Sequence, residues 1–184
     1  IKPCRTYFWK KIKDKVQGKA MVEAALEINH WCAGEVMYQG TDMRTGSALE
    51  IYRSGVGRCG EEAVFVVNVM RSAGIPARPV YVPRWSHCDD NHAWVEVWCD
   101  GDWHYLGACE PEAVLDKGWF TNAASRAMMI GSRWYDRAMP DKKVIGKDGM
   151  NRIINLLGKY AKTRWITITV EDLDGTPAAG AKVR

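Results

Sequence analysis

Two residues far apart in the chain could do chemistry together. Cys59 stands in Gly57-Arg58-Cys59-Gly60-Glu61-Glu62, and His92 follows the polar stretch Asp89-Asp90-Asn91. A cysteine attacks a carbonyl as the thiolate, so it needs an imidazole to take its proton and a third group to orient that imidazole. After Cys59 comes Ala63-Val64-Phe65-Val66-Val67-Asn68-Val69-Met70, in which Ala63, Val66, Val67 and Met70 fall at i, i+3, i+4 and i+7. That spacing predicts a helix, apolar nearly all round and therefore buried. Cys59 would sit at its amino end, where the helix dipole and unpaired N–H groups favour a thiolate. A lone cysteine is as often an inert apolar side chain, and a lone histidine is more often structural. It is the pairing of the two that points to a nucleophile and its base.

The same junction supplies an oxyanion donor, the backbone N–H of Cys59, with Trp31 or Tyr38 as side-chain partners and core packing as their plainer role. Trp85 and Trp94 could line a groove for the acyl side of a substrate, burial being the plainer alternative. Zinc is the rival use of these residue types, since His87, Cys88, His92 and Cys109 are four soft ligands. Their spacing is not a standard zinc pattern and neighbouring strand residues alternate faces, so the site is read as metal-free and cofactor-free.

The elements that must hold these groups can be read around them. Residues 5–17 suggest a short helix or strap with solvated lysines, and Lys19 to Cys32 an amphipathic helix. Residues 39–57 read as loop around a helical turn at Ser47–Arg53. Gly74 caps the cysteine helix and Ile75-Pro76 forces extended backbone after it. Ala77 to Val82 reads as a strand. His92 to Cys99 alternates strictly, with Ala93, Val95, Val97 and Cys99 on one face and His92, Trp94, Glu96 and Trp98 on the other. Asp100-Gly101 is a two-residue hairpin turn, returning through Asp102 to Gly107. Residues 111–150 read as loops and short helices, and Asn151 to Ala161 as one more helix. Trp165 to Glu171 and Pro177 to Val183 read as strands joined by an Asp174-Gly175 turn.

The length of 184 residues fits one domain with a small appendage. A net charge of +4 with both signs interspersed gives no basic stripe, which argues against nucleic acid as partner. Six cysteines with no C-x-x-C are too few for a disulfide scaffold, though one or two bridges fit. No apolar run is long enough to span a membrane. The opening Ile1-Lys2-Pro3 lacks a methionine, which fits removal of a leader and a secreted, periplasmic or cell-surface location.

Four ordered motifs, Gly57-Arg58-Cys59-Gly60-Glu61, Arg71-Ser72-Ala73-Gly74-Ile75-Pro76-Ala77-Arg78, Asn91-His92-Ala93-Trp94-Val95-Glu96-Val97 and Gly101-Asp102-Trp103, resemble the transglutaminase-like superfamily of bacterial cysteine proteases, transglutaminases and peptide N-glycanases. The resemblance spans residues 20–112. It implies a papain-like α+β fold in which a central helix carrying Cys59 packs on an antiparallel sheet carrying His92. It further implies Cys59 as nucleophile and His92 as general acid/base, acting on a protein, peptide or glycopeptide amide. The domain would occupy 1–162, and 163–184 resembles the start of a carboxypeptidase-regulatory-like β-sandwich. One position departs from the family: the usual orienting aspartate is replaced by Gly107. Glu110 is the nearest substitute, yet continuing the hairpin register would aim it at the face opposite His92 unless the strand is interrupted. Hydrolysis is the expected outcome. Crosslinking, deglycosylation (suggested by Cys109-Glu110) and a catalytically silent binding module are the alternatives.

Overall fold

The structure is a computed structural model that describes residues 3–40, 44–134, 144–164 and 166–181. Helix α1 (Arg5–Val16) buries Phe8, Ile12 and Val16, and α2 (Met21–Glu35) buries Ala24, Ala25, Ile28, Asn29 and Cys32. A two-residue strand β1 (Met37–Tyr38) pairs in parallel with β2 (Val56–Gly57). Between them lies α3 (Ala48–Ser54), whose Ser47 side chain accepts from Glu50 N–H while the Glu50 carboxylate accepts from Ser47 N–H.

Helix α4 (Cys59–Ser72) runs through the core, with Phe65, Val66, Val69 and Met70 shielded completely. Each such side chain contributes about 1.5–3 kcal/mol on leaving water, so packing rather than capping holds this helix. It ends as expected: Gly74 adopts φ 81° and Ile75 N–H reaches back to Met70 O at 3.1 Å.

Strand β3 (Ala77–Val82), β4 (His92–Cys99) and β5 (Asp102–Leu106) follow. Asp100 (φ 51°) and Gly101 (φ 90°) both take positive φ, the conformation of a tight hairpin turn that matches strand twist. The full sheet has the order β5-β4-β3-β6-β8-β7 and is antiparallel throughout. It is completed by β6 (Gly131–Trp134), β7 (Val144–Asp148) and β8 (Asn151–Asn155), with short helices α5 (Thr121–Ala124) and α6 (Leu157–Tyr160).

Three expectations are corrected here. Residues 131–134 and 144–148 are strands, not loops. The helix expected from Asn151 to Ala161 is a strand followed by a single helical turn. Ile153 and Ile154 are β-branched and pair with Arg133 and Ser132 on one side and with β7 on the other, so tertiary pairing overrides local pattern. Strands are also absent from 166–170, where Ile166 and Ile168 are exposed. Only the bridge Glu171–Pro177 forms around the Asp174-Gly175 turn, because two strands without a sheet to join are marginal. Trp165, Lys182 and Val183 lie outside the described residues.

The alternation of β4 buries both faces. Val95, Val97 and Cys99 join the core built on α1 to α4. On the other side Trp94 enters a second core with Val80, Val82, Trp85, Phe120 and Ile130. A buried network ties that side together: Arg78 Nε donates to Glu96 Oε2 at 2.6 Å, Tyr160 OH to Glu96 Oε1 at 2.6 Å, and Trp94 Nε1 to Tyr160 at 2.9 Å. Every charge and hydroxyl in it is matched, which a buried ion pair requires. The six cysteines are free thiols. No helix among the described residues is long and apolar enough to cross a membrane.

Candidate active site

The start of α4 is fixed from upstream. Glu61 Oε2 accepts from Arg58 N–H at 3.0 Å, and Glu61 Oε1 accepts from Gly46 N–H at 3.2 Å, so one buried carboxylate ties the preceding loop to the first helical turn. Gly57 suits this close approach, since a Cβ there would stand 3.1 Å from Glu61 Cβ, a tight contact. Cys59 is therefore the first helical residue, half-buried, at the positive end of the dipole.

A cleft of about 1520 Å³ opens over this point and is lined by Cys59, His92, Glu110, Trp119 and Tyr38 among others. Backbone N–H groups of Ala93 and Gly60 favour the Cys59 thiolate, which places the sulfur within hydrogen-bonding reach of the residue that follows His92. Burial outweighs them and pushes the thiol up from its ordinary range. His92 opens β4 opposite Val82. Its ring is boxed by Trp119 (4.7 Å between centroids), Phe120 (5.0 Å), Trp94 (5.9 Å) and Trp85 (6.4 Å), and this burial lowers its pKa to about 4. The resting site thus holds a neutral thiol and a neutral imidazole, ready to accept a proton.

Glu110 reaches the histidine by a route that the hairpin register does not foresee. β5 stops at Leu106, and residues 107–110 make a tight turn with Cys109 at φ 56° and Glu110 N–H returning to Gly107 O at 3.3 Å. The turn brings Glu110 Oε2 to 3.9 Å from His92 Nε2. That is outside hydrogen-bond range, and both atoms are buried without a hydrogen-bond partner. A Cβ on Gly107 would lie 2.8 Å from Glu110 Cβ and overlap the Glu110 carboxylate. The side chain of 110 therefore fills the place that an aspartate at 107 would take. Burial raises the Glu110 pKa, while the indole of Trp119, donating to Glu110 Oε1 at 3.0 Å, opposes the rise.

The turn is pinned by a residue that motif reading missed. Asn29, buried on α2, donates from Nδ2 to Gly107 O at 2.9 Å and to Glu110 O at 3.4 Å, and accepts from Cys109 N–H at 3.0 Å. Its signal was available: an asparagine amid Ala24, Ala25, Ile28 and Cys32 on an apolar helix face must have buried partners. Trp119, in a loop of mixed pattern, gave no such signal.

Tyr38 lies on the cleft and is exposed. Trp85 and Trp94 do not line it: both belong to the second core, Trp94 without any exposed surface, so neither forms a substrate groove. Trp31 stacks on Tyr52 beside Phe65 and is a packing residue. Among the described residues no group of three or more His, Cys, Asp or Glu side chains is arranged to hold a metal ion.

The family model of the transglutaminase-like superfamily matches residues 10–108, more than half of the chain. No curated protein matches the sequence significantly. Among solved structures the chain is similar to a provisionally named protease from Parabacteroides distasonis, with 17% identity over 70% of this chain and 25% of that one at a TM-score of 0.51. It also resembles a provisionally named cysteine protease from Cytophaga hutchinsonii (18% identity, 83% and 57% covered, TM-score 0.48) and Legionella pneumophila LapG (15%, 62% and 70%, 0.48). The chain spans 57% of the Cytophaga protein's length and a quarter of the Parabacteroides one.

Proposed function

The chain belongs to the transglutaminase-like superfamily, and on that premise we propose that it is a cysteine-dependent acyl-transfer enzyme that hydrolyses amide or peptide bonds. The observation that carries this reading is the convergence on one cleft of a helix-starting cysteine, a strand-starting histidine and a carboxylate folded back to within 3.9 Å of that histidine. His92 takes the proton of Cys59 as the sulfur adds to the substrate carbonyl carbon. The negative oxygen that forms is stabilised by the Cys59 N–H at the helix start. Collapse breaks the carbon–nitrogen bond, the departing amine takes the proton from His92, and a thioester remains. Water then gives a proton to His92 and its oxygen to the acyl carbon, releasing the carboxylic acid and restoring the thiol. Protonation of His92 creates a charge that draws Glu110 closer, so the third member tightens as the reaction proceeds.

The relaxed 3.9 Å spacing and the neutral resting pair also fit a second reading, a binding module that keeps the fold without turnover. A peptidyl acyloxymethyl ketone separates the two. The enzyme reading expects stoichiometric labelling that is lost in Cys59→Ala and suppressed in His92→Ala. Labelling of the unaltered chain no faster than of His92→Ala would establish the silent module.

A further inference from the structure

His92 Nε2 is buried without a hydrogen-bond partner, and Glu110 Oε2 stands off at 3.9 Å, so the plane of the imidazole is set by the rings packed around it. Trp94 is the ring on its own strand. His92, Trp94 and Glu96 alternate onto one face of β4, and the indole lies nearly parallel to the imidazole, at 29° and 5.9 Å between centroids. The indole also stacks on Phe120 at 4.7 Å and has no exposed surface. Whatever fixes Trp94 therefore bears on His92.

A hydroxyl from much later in the chain does so. Tyr160 OH accepts from Trp94 Nε1 at 2.9 Å and donates to Glu96 Oε1 at 2.6 Å, while its ring meets the indole edge-on at 5.4 Å. Glu96 has no exposed surface and is paired with Arg78, its partner across the β3–β4 register. A hydroxyl whose proton is committed to a carboxylate must offer a lone pair to its other neighbour, so the ion pair sets the direction of the Tyr160–Trp94 bond. That bond is the polar handle that keeps the buried indole from turning. Burial pushes the Tyr160 phenol well above its ordinary range, so the proton stays in place. Helix α6, which carries Tyr160, is itself docked: Leu156 N–H donates to Ile130 O at 2.8 Å, and Leu156, Leu157 and Tyr160 pack on the second core.

We propose that Tyr160 is a positioning residue of the active site, holding the plane of the His92 imidazole through the ring of Trp94. It lies well past residue 108, where the family match ends, so a segment outside that match completes the support of the histidine. Proton transfer from Cys59 needs a ring nitrogen aimed at the sulfur, and an imidazole free to tilt loses rate rather than binding. The catalytic consequence rests on the function proposed above, whereas the coupling of Tyr160 to His92 does not. The charged groups acting on His92 are Glu110 from the 107–110 turn and Asp90 from the loop before β4, and removing the Tyr160 hydroxyl leaves both in place.

Tyr160→Phe removes the hydroxyl and keeps the ring. By NMR titration, His92 of this variant is expected to climb from about 4 toward 6.5, because a loosened indole admits water to the imidazole. With the peptidyl acyloxymethyl ketone, the maximal rate of Cys59 labelling should fall about tenfold at an unchanged half-saturating concentration. A variant that melts earlier yet keeps His92 near 4 and labels at the original rate has lost packing alone, and overturns the proposal. In a Trp94→Phe background there is no indole N–H to hold, so Tyr160→Phe should then change the labelling rate by less than about twofold. A full loss in that background shows a route that bypasses Trp94 and overturns the proposal as well. Hydrogen exchange in the unaltered chain decides the question even if Tyr160→Phe folds poorly: the Trp94 indole N–H should exchange as slowly as the β4 amides, and exchange as fast as that of the exposed Trp98 overturns the proposal. An unshifted His92 beside a reactive Cys59 removes this proposal alone, whereas a shifted His92 beside an unreactive Cys59 keeps the coupling without the enzyme.

Discussion

Glu110 occupies the space left by the absent side chain of Gly107. A Cβ at 107 would lie 2.8 Å from Glu110 Cβ, so the two positions can hold only one side chain between them. The carboxylate facing His92 has moved three residues along the chain and is delivered by a turn.

This exclusivity makes the pair a reciprocal test. Gly107→Asp alone should destabilise by about 1–3 kcal/mol, the usual cost of overpacking, and lower turnover by displacing Glu110. Glu110→Gly alone should lower turnover without the loss of stability. The double variant should recover both melting temperature and turnover relative to Gly107→Asp, because the aspartate inherits the vacated space. Additive losses in the double-mutant cycle, measured by thermal melts and kcat, would show that the two side chains do not share one place.

Asn29→Ala should cost about 1–3 kcal/mol, since it leaves the Cys109 N–H without its partner and Gly107 O with only the longer bond from Glu110 N–H. The turn it pins sets Glu110, not the substrate, so kcat should fall while KM changes little. A structural residue without a positioning role would show the melting shift and an unchanged kcat.

Two substitutions at Trp119 divide its indole donor from its ring. Trp119→Phe removes the bond that holds the Glu110 pKa down, so Glu110 should protonate at higher pH and the acid limb of the rate profile should move upward. Trp119→Ala also uncovers His92, and its pKa should climb from about 4 toward the ordinary 6.5. NMR titration of the His92 ring reads the second effect whether or not the protein turns over.

The two buried titrating groups should oppose each other, leaving stability level between about pH 4.5 and 6.5 and falling on either side. His92 is held neutral, with a folded pKa of about 4 against 6.5, so its contribution is full above 6.5 and is lost as pH falls toward 4. Glu62 is held protonated, with a folded pKa of about 8 against 4.5. Its contribution is full below 4.5 and is lost as pH rises toward 8. Glu62→Gln should therefore raise the melting temperature at pH 8 far more than at pH 5. Equal shifts at both values would mean that Glu62 is ionised in the folded chain.

The legible part of the site was local. Gly57-Arg58-Cys59-Gly60 followed by an apolar run marks a buried helix with a cysteine at its positive end, because those residues set their own backbone. The strict alternation after His92 and the Asp100-Gly101 turn give the β4–β5 hairpin and its register for the same reason. The departures began where that register was extended past Leu106. Nothing in Leu106-Gly107-Ala108-Cys109-Glu110 announces that Cys109 takes a left-handed conformation, and only Asn29, some eighty positions earlier, holds it there. Residues 151–155 departed likewise: the isoleucines of β8 become a strand because β6 and β7 flank them.

The sequence by itself determined the central helix, the hairpin, and the placing of Cys59 at the start of the one and His92 at the start of the other, since each follows from spacing and residue type within a few neighbours. The tertiary structure alone decided that Glu110 comes within 3.9 Å of His92, that Trp85 and Trp94 pack against the histidine from the core, and that Glu62 lines a second cavity. These depend on which distant surfaces exclude water from one another, and burial of that kind is a property of the packed chain rather than of any stretch of it.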